Sequence, residues 1–257
     1  MGTLREVVAA AYDRQMSRPF AHQYFGGSGF YNYGYWDATT RSQGQACENL
    51  TERILAFVPD KRGRVLDIAC GLGATTRHLL RYYPASQVTG INISTAQLAV
   101  ARKQAPGCAF VEMDAVELGF AGNCFDTILC VEAAFHFDTR EHFAREAYRV
   151  LKPGGHLALS DILFVKTRRS RKLPRQNFVA DVDAYRDVYA GAGFADIEIT
   201  DATDECWGGF RRSLLRWGRG RLVKPPRGPI QAAAIVLWVG LLSLAVRRYL
   251  LVRVRKP

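Results

Sequence analysis

Three groups of residues in this chain have types and spacings that could do chemistry. The first is Val65-Leu66-Asp67-Ile68-Ala69-Cys70-Gly71-Leu72-Gly73, an apolar run that opens into two glycines one residue apart. Glycines directly after a strand let the backbone approach a ligand closely, beside the N-terminus of the next helix. The dinucleotide fingerprint G-x-G-x-x-G is not met, because Thr76 stands at the third glycine position. A carboxylate four residues before Gly71 would repel a pyrophosphate; Asp67 suits a ligand that carries an ammonium group and a sulfonium. The second group is Val131-Glu132-Ala133-Ala134-Phe135-His136, which sets a carboxylate and an imidazole four residues apart. A histidine titrates near neutral pH and can take a proton from a hydroxyl. The third is the aromatic and glycine-rich stretch from Tyr24 through Tyr31, Tyr33 and Tyr35 to Trp36. Its rings could attract a soft cation and exclude water, or simply pack as core.

The elements that must position these groups follow from periodicity. Residues 3–16 carry apolar positions at helical spacing (Leu4, Val7, Val8, Ala11), and the aromatic stretch has neither helix nor strand period and reads as a loop. A second helix is expected over 43–57, stopped by Pro59. From Gly63 onward, strands at 64–70, 87–92, 109–113, 125–131, 156–163 and 194–200 alternate with helices at 75–82, 95–104, 139–150 and 182–192. That alternation predicts an α/β fold with a mostly parallel sheet covered by helices. Glu132 and His136 then fall just beyond the fourth strand, on the sheet edge where such folds bind ligands.

Composition narrows the class. The chain has 257 residues, 48% of them hydrophobic and 23% charged, which excludes a disordered or collagen-like chain. The net charge of +11 is concentrated at one end: residues 1–210 hold 23 basic and 24 acidic side chains, whereas 211–257 hold 12 basic and no acidic ones. The body is near neutral and the tail is basic. Six residues of the run 166–175 are also basic, which reads as a solvated loop. The six cysteines show no C-x-x-C spacing and no histidine cluster accompanies them, so no metal site is expected. Reduced thiols and no apolar N-terminal run suggest a cytoplasmic protein. Residues 228–246 carry no charge, and two readings stay open for them. A helix here followed by a terminal strand over 247–257 would complete the sheet; the alternative is a helix lying on or in a membrane, with peripheral contact through 211–257.

Over roughly residues 20–200 the chain resembles the class I S-adenosylmethionine-dependent methyltransferases. Five stretches match that family in order: 65–73; Gly90-Ile91-Asn92-Ile93-Ser94; Met113-Asp114-Ala115; Phe125-Asp126 with 128–131; and Arg149-Val150-Leu151-Lys152-Pro153-Gly154-Gly155. The resemblance implies a Rossmann-like seven-stranded sheet whose last strand is antiparallel. It implies S-adenosylmethionine as cofactor, with Asn92 at the ribose hydroxyls (many members have an acid there) and Asp114 at the adenine. Asp67, Ala69, Gly71, Gly73, Ile93, Gln97, Ala115 and Val131 are the other cofactor residues so implied. Within the family, the aromatic segment and the 131–136 stretch are similar to the sterol and tocopherol C-methyltransferases and natural-product O-methyltransferases. That branch implies an N-terminal lid, with Tyr24, Tyr31, Tyr33, Tyr35, Trp36 and Phe135 lining an acceptor pocket. His136 is then the expected general base for O-methylation, and Glu132 its orienting partner, an ammonium ligand, or the carboxylate that steadies a carbocation in C-methylation.

The expected organisation is a lid and substrate segment at 1–60, a cofactor domain at 61–210, and a basic and apolar helix with a terminal strand at 211–257. The acceptor is expected to be a hydrophobic small molecule. No nucleic acid is expected, since the basic residues lie away from the ligand edge and no Pro-Pro-Tyr base-flipping motif is present. A cofactor-binding protein that docks on membranes without catalysis is a third reading. Oligomeric state is not addressed by any of these residues.

Overall fold

The computed structural model describes residues 3–16, 19–167, 173–222 and 228–257. Residues 168–172 of the basic run 166–175 therefore lie outside the described residues. Seven strands form one sheet: β1 (Val65–Ile68), β2 (Val88–Asn92), β3 (Ala109–Glu112), β4 (Phe125–Val131), β5 (Leu151–Phe164), β6 (Ala195–Asp201) and β7 (Val246–Arg255). Their order is β3-β2-β1-β4-β5-β7-β6; all pairings are parallel except those of β7, which runs antiparallel to β5 and β6.

Alternation along the strands builds two cores. Leu66, Ile68, Ile128, Cys130, Leu157, Leu159, Leu250 and Val252 point to one face, against α6 (Arg140–Val150) and α7 (Val182–Gly191). Val65, Leu129, Ala158, Tyr249 and Leu251 point to the other, against α3 (Gln43–Ala56) and α4 (Ala74–Leu79). The helices start where side-chain oxygens satisfy free N–H groups: Ser42 accepts from Gln45 N–H, Asp181 from Ala184 N–H, and Ser94 from Gln97 N–H at the start of α5 (Thr95–Gln104).

Three elements depart from the periodicity. The strand expected over 156–163 begins earlier, at Leu151 opposite Phe125, and takes in Pro153-Gly154-Gly155 as an irregular part of β5; Gly154 N–H donates to Lys256 O and Lys256 N–H to Gly155 O. The expected loop from Tyr24 onward begins inside a short helix, α2 (Pro19–Phe25). Ahead of it α1 (Leu4–Met16) forms as the spacing predicts, but Val7, expected on its packing face, is 47% exposed.

The segment from Asp204 on has no expected helix before residue 228. It folds as a π-turn over Asp204–Gly208 that runs into α8 (Gly209–Arg219). Phe210 and Leu214 give α8 its buried stripe, and Arg211, Arg212, Arg216 and Arg219 its exposed one. α9 (Gly228–Ser243) follows and packs on α8 through Ala232, Ile235 and Val239. No helix among the described residues is long and apolar enough to cross a membrane. The chain then enters β7, between β5 and β6, so the basic tail contributes an interior strand of the sheet.

Candidate active site

The strand order reverses between β1 and β4, and at their C-terminal ends a cavity of about 890 Å³ opens. Each strand is followed at once by a residue with left-handed backbone, Ala69 at φ 57° after β1 and Glu132 at φ 49° after β4. Such strain in non-glycine residues concentrates at functional sites. The cavity is roofed by α1 and the aromatic loop and closed on its far side by α8 and α9.

Asp67, Ala69, Gly71, Asn92, Ile93, Gln97, Asp114, Ala115 and Val131 all line this cavity. Asp67 is 1% exposed, and its Oδ2 accepts from the Thr76 hydroxyl at 2.6 Å. Burial raises its carboxyl to about 7. Gly71 has φ +56°, while a Cβ there would meet nothing closer than 3.9 Å; backbone conformation, not space, demands the glycine. Gly73 is a correction: it does not line the cavity, and a Cβ on it would stand 2.8 Å from Ala101, so it serves the packing of α4 on α5. Asn92 Nδ2 donates to Gln97 Oε1 at 2.9 Å, and Gln97 Nε2 donates to Asp13 Oδ1 at 2.7 Å. Asp114 Oδ1 accepts from Val116 N–H.

These residues fit S-adenosylmethionine by the chemistry of their acceptors. Asn32 lines the same cavity, and its buried Oδ1 has no hydrogen-bond partner among the described residues. A buried acceptor without a donor is costly, and an ammonium group supplies donors. Asp67 would supply the opposing charge, since a cation beside it favours its carboxylate form.

The other half of the cavity holds Glu132 and His136. Glu132 Oε1 accepts from Tyr33 N–H and from the Tyr249 hydroxyl, both at 2.6 Å, and so ties the aromatic loop to β7. Burial raises its carboxyl to about 8. His136 Nε2 lies 2.9 Å from the Tyr12 hydroxyl of α1. Burial, with the Arg140 guanidinium adding to it, lowers the imidazole to about 4, so it is neutral at physiological pH. Burial raises the Tyr12 phenol above its ordinary value.

Of the expected acceptor residues, Tyr24, Tyr31, Tyr33 and Phe135 line the cavity. The Tyr33 ring stacks on Phe210, with centroids 4.5 Å apart. Tyr35 and Trp36 are corrections. Tyr35 lies under the Arg53 guanidinium in a separate shallow pocket, and Trp36 packs on Gly209 while its indole N–H donates to Tyr33 O. The loop reverses after Tyr33, where Tyr35 N–H is captured by Ala46 O, and this carries both rings away from the cavity.

Sequence reasoning missed Tyr12, Asp13 and Asn32. No motif marks them, and α1 was assigned a packing stripe by apolar residues alone. Its cavity-lining residues include the row Leu4, Val8, Tyr12 and Met16 at four-residue spacing, which contains the polar Tyr12.

Residues 66–159 match the model of a family described as "Methyltransferase domain". The 27-O-demethylrifamycin SV methyltransferase of Amycolatopsis mediterranei is 34% identical over 169 residues, 62% of this chain and 58% of that enzyme. O-methyltransferase rstn1 of Aspergillus nomiae is 31% identical over 193 residues, 69% of this chain and 85% of the relative. The chain thus spans somewhat over half the length of the rifamycin enzyme and most of the fungal one. The crystal structure of the [4+2]-cyclase SpnF superposes with a TM-score of 0.75 at 25% identity, covering 100% of this chain and 97% of that one. With the cavity at the strand-order reversal, the unpaired Asn32 acceptor that lines it and these relatives together, the chain belongs to the class I S-adenosylmethionine-dependent methyltransferases.

Proposed function

We propose that the protein transfers a methyl group to a hydroxyl of a hydrophobic small molecule, with His136 as general base. One observation carries this reading: a single cavity is lined both by the cofactor-side residues Asp67, Gly71 and Asn92 and by a neutral imidazole among apolar and aromatic walls. Two relatives named for O-methylation support it. When bound, S-adenosylmethionine supplies an electrophilic methyl carbon. The chain must then hold an acceptor oxygen within about 3–3.5 Å of that carbon, in line with the breaking bond, and remove its proton.

In the tautomer this reading requires, the Tyr12 hydroxyl donates to His136 Nε2, 2.9 Å away, and Nε2 is the basic nitrogen. An acceptor hydroxyl reaching Nε2 therefore takes the place of the Tyr12 hydroxyl, and α1 yields that place. α1 is suited to do so, since none of its residues is fully buried and polar contacts tether it: Arg5 to Glu112, Asp13 to Ser94 and Gln97. Glu132 lies in the same cavity, and an imidazolium forming on His136 would favour its charged form over the protonated form that burial favours.

C-methylation of an alkene-bearing lipid is the second reading, favoured by Glu132: a buried carboxylate beside Tyr33 and Tyr249 would steady a carbocation. Incubation of the protein with isotopically labelled methyl donor and hydrophobic extracts, followed by mass spectrometry and carbon NMR, separates the two. A labelled methoxy carbon supports O-methylation; a labelled methyl on carbon overturns it in favour of the second reading. No incorporation at all, with cofactor bound, supports a binding protein without turnover.

A further inference from the structure

α9 is uncharged along its whole length, and among the described residues only one of its sides is buried against the protein. Ala232, Ile235 and Val239 are buried against α8 and the aromatic cluster. On the other side Ile230, Val236 and Leu237, with Leu244 just beyond the helix, are 73, 60, 63 and 70% exposed, and Leu222 after α8 is 53% exposed. Isolated exposed aliphatics are ordinary; Ile230, Leu237 and Leu244 recur every seven residues and form one line along the axis.

The charges that flank this line along the chain have one sign. Arg219 and Arg221 precede α9, and Arg247 and Arg248 follow it. Arg221 donates to Gln23 and Arg248 pairs with Asp201, but Arg211, Arg216, Arg219 and Arg247 are exposed and form no ion pair among the described residues. No acidic residue follows Glu205 in the chain. A second copy docked through this face would set arginines against arginines. An anionic phospholipid surface meets both features at once, with acyl chains against the apolar line and headgroup phosphates at the arginines.

We propose that the outer face of α9 lies in the interface of an anionic lipid membrane. The 16-residue helix is about 24 Å long, too short to span and suited to lie flat. Its inner face is a wall of the cavity, and Gln231, Ala234 and Trp238 both line the cavity and reach solvent, so the membrane-facing helix forms part of the cavity rim. A lipid-dissolved acceptor could enter there without crossing water. That corollary rests on the apolar acceptor proposed above; the docking itself does not.

The test is flotation of the full chain with vesicles of phosphatidylcholine alone or mixed with phosphatidylglycerol. The expected result is binding to the mixed vesicles, weakened by high salt and by Arg219→Glu with Arg247→Glu. Ile230→Ser, Leu237→Ser and Leu244→Ser combined should reduce binding at least about thirtyfold. S-adenosylmethionine affinity, measured on the same triple variant, should stay at the wild-type value and shows that the fold is intact. Failure of the wild type to bind either vesicle overturns the proposal, as does equal binding by the triple variant. A dimer that the triple variant dissociates in sedimentation velocity, without vesicle binding by wild type, assigns the face to a second copy instead. None of these outcomes bears on whether a methyl group is transferred.

Discussion

Asp67 and His136 hold unusual protonation equilibria for one reason, burial, and the two consequences differ in sign. The raised Asp67 carboxyl, at about 7, is partly protonated at neutral pH, and a cation beside it favours the charged form. With Asp67 facing the cofactor's ammonium group, as proposed, binding of S-adenosylmethionine should expel a proton. Its affinity should rise with pH up to about 7, by as much as about tenfold per unit, and level off above that. Calorimetry between pH 5.5 and 8 checks this, and Asp67→Asn should flatten the curve while weakening binding about 10- to 150-fold. His136, lowered to about 4, stays neutral over the same range, so kcat should show no acid limb near the ordinary imidazole value. His136→Ala is expected to lower kcat by about 10²- to 10⁴-fold with cofactor affinity unchanged. Tyr12→Phe removes the hydroxyl that competes for Nε2, so the acceptor KM should fall about 2- to 10-fold, with little change in kcat.

Between residues and fold stand α1, the aromatic loop and α6, each held by a few polar contacts. Asp13 Oδ1 accepts from both the Ser94 hydroxyl and Gln97 Nε2, which makes it the main tether of α1 to the cofactor-side edge. Asp13→Ala should raise the proteolytic sensitivity of α1 and speed cofactor release in stopped-flow measurements, leaving the unfolding midpoint within a degree or two, because α1 buries no residue fully. α6 is the opposite case. Its first residue, Arg140, is 1% exposed; its Nε donates to Asp161 Oδ2 at 2.7 Å, its Nη2 to Ile162 O, and its Nη1 to Asn177 O. The Tyr185 hydroxyl donates to the same Asp161 oxygen. Arg140→Ala strands a buried carboxylate and should cost about 3–5 kcal/mol in urea unfolding.

At the scale of the molecule, β7 decides how the tail behaves. Tyr249, Leu250, Val252 and Val254 are fully buried within it, and it bridges β5 and β6. A chain ended before residue 228 should lose cooperative unfolding, since β6 would have no neighbour in the sheet. The basic charge of residues 211–257 is thereby divided. Arg248, Arg253 and Arg255 of β7 pair with Asp201, Glu198 and Asp196 of β6, whereas the arginines of α8 stay in solvent. What reads as one polybasic tail is half strand ladder and half exposed helix.

The sequence by itself determined the sheet, because alternation of apolar residues with period two and helices with period near four are local properties of the chain. The edge where these candidates gather was legible too, because Asp67 and Asn92 lie at the C-terminal ends of β1 and β2, Gly71 and Asp114 shortly after β1 and β3, and strand ends converge in a parallel sheet. Only the tertiary structure decided which aromatic rings face the cavity: Tyr33 and Tyr35 are two residues apart in an irregular loop, where no period tells inside from outside. The same holds for the Tyr12–His136 contact, which joins residues 124 positions apart. Contacts of that kind are set by how α1 docks across the sheet, and docking is a sum of distant surfaces that no local pattern encodes.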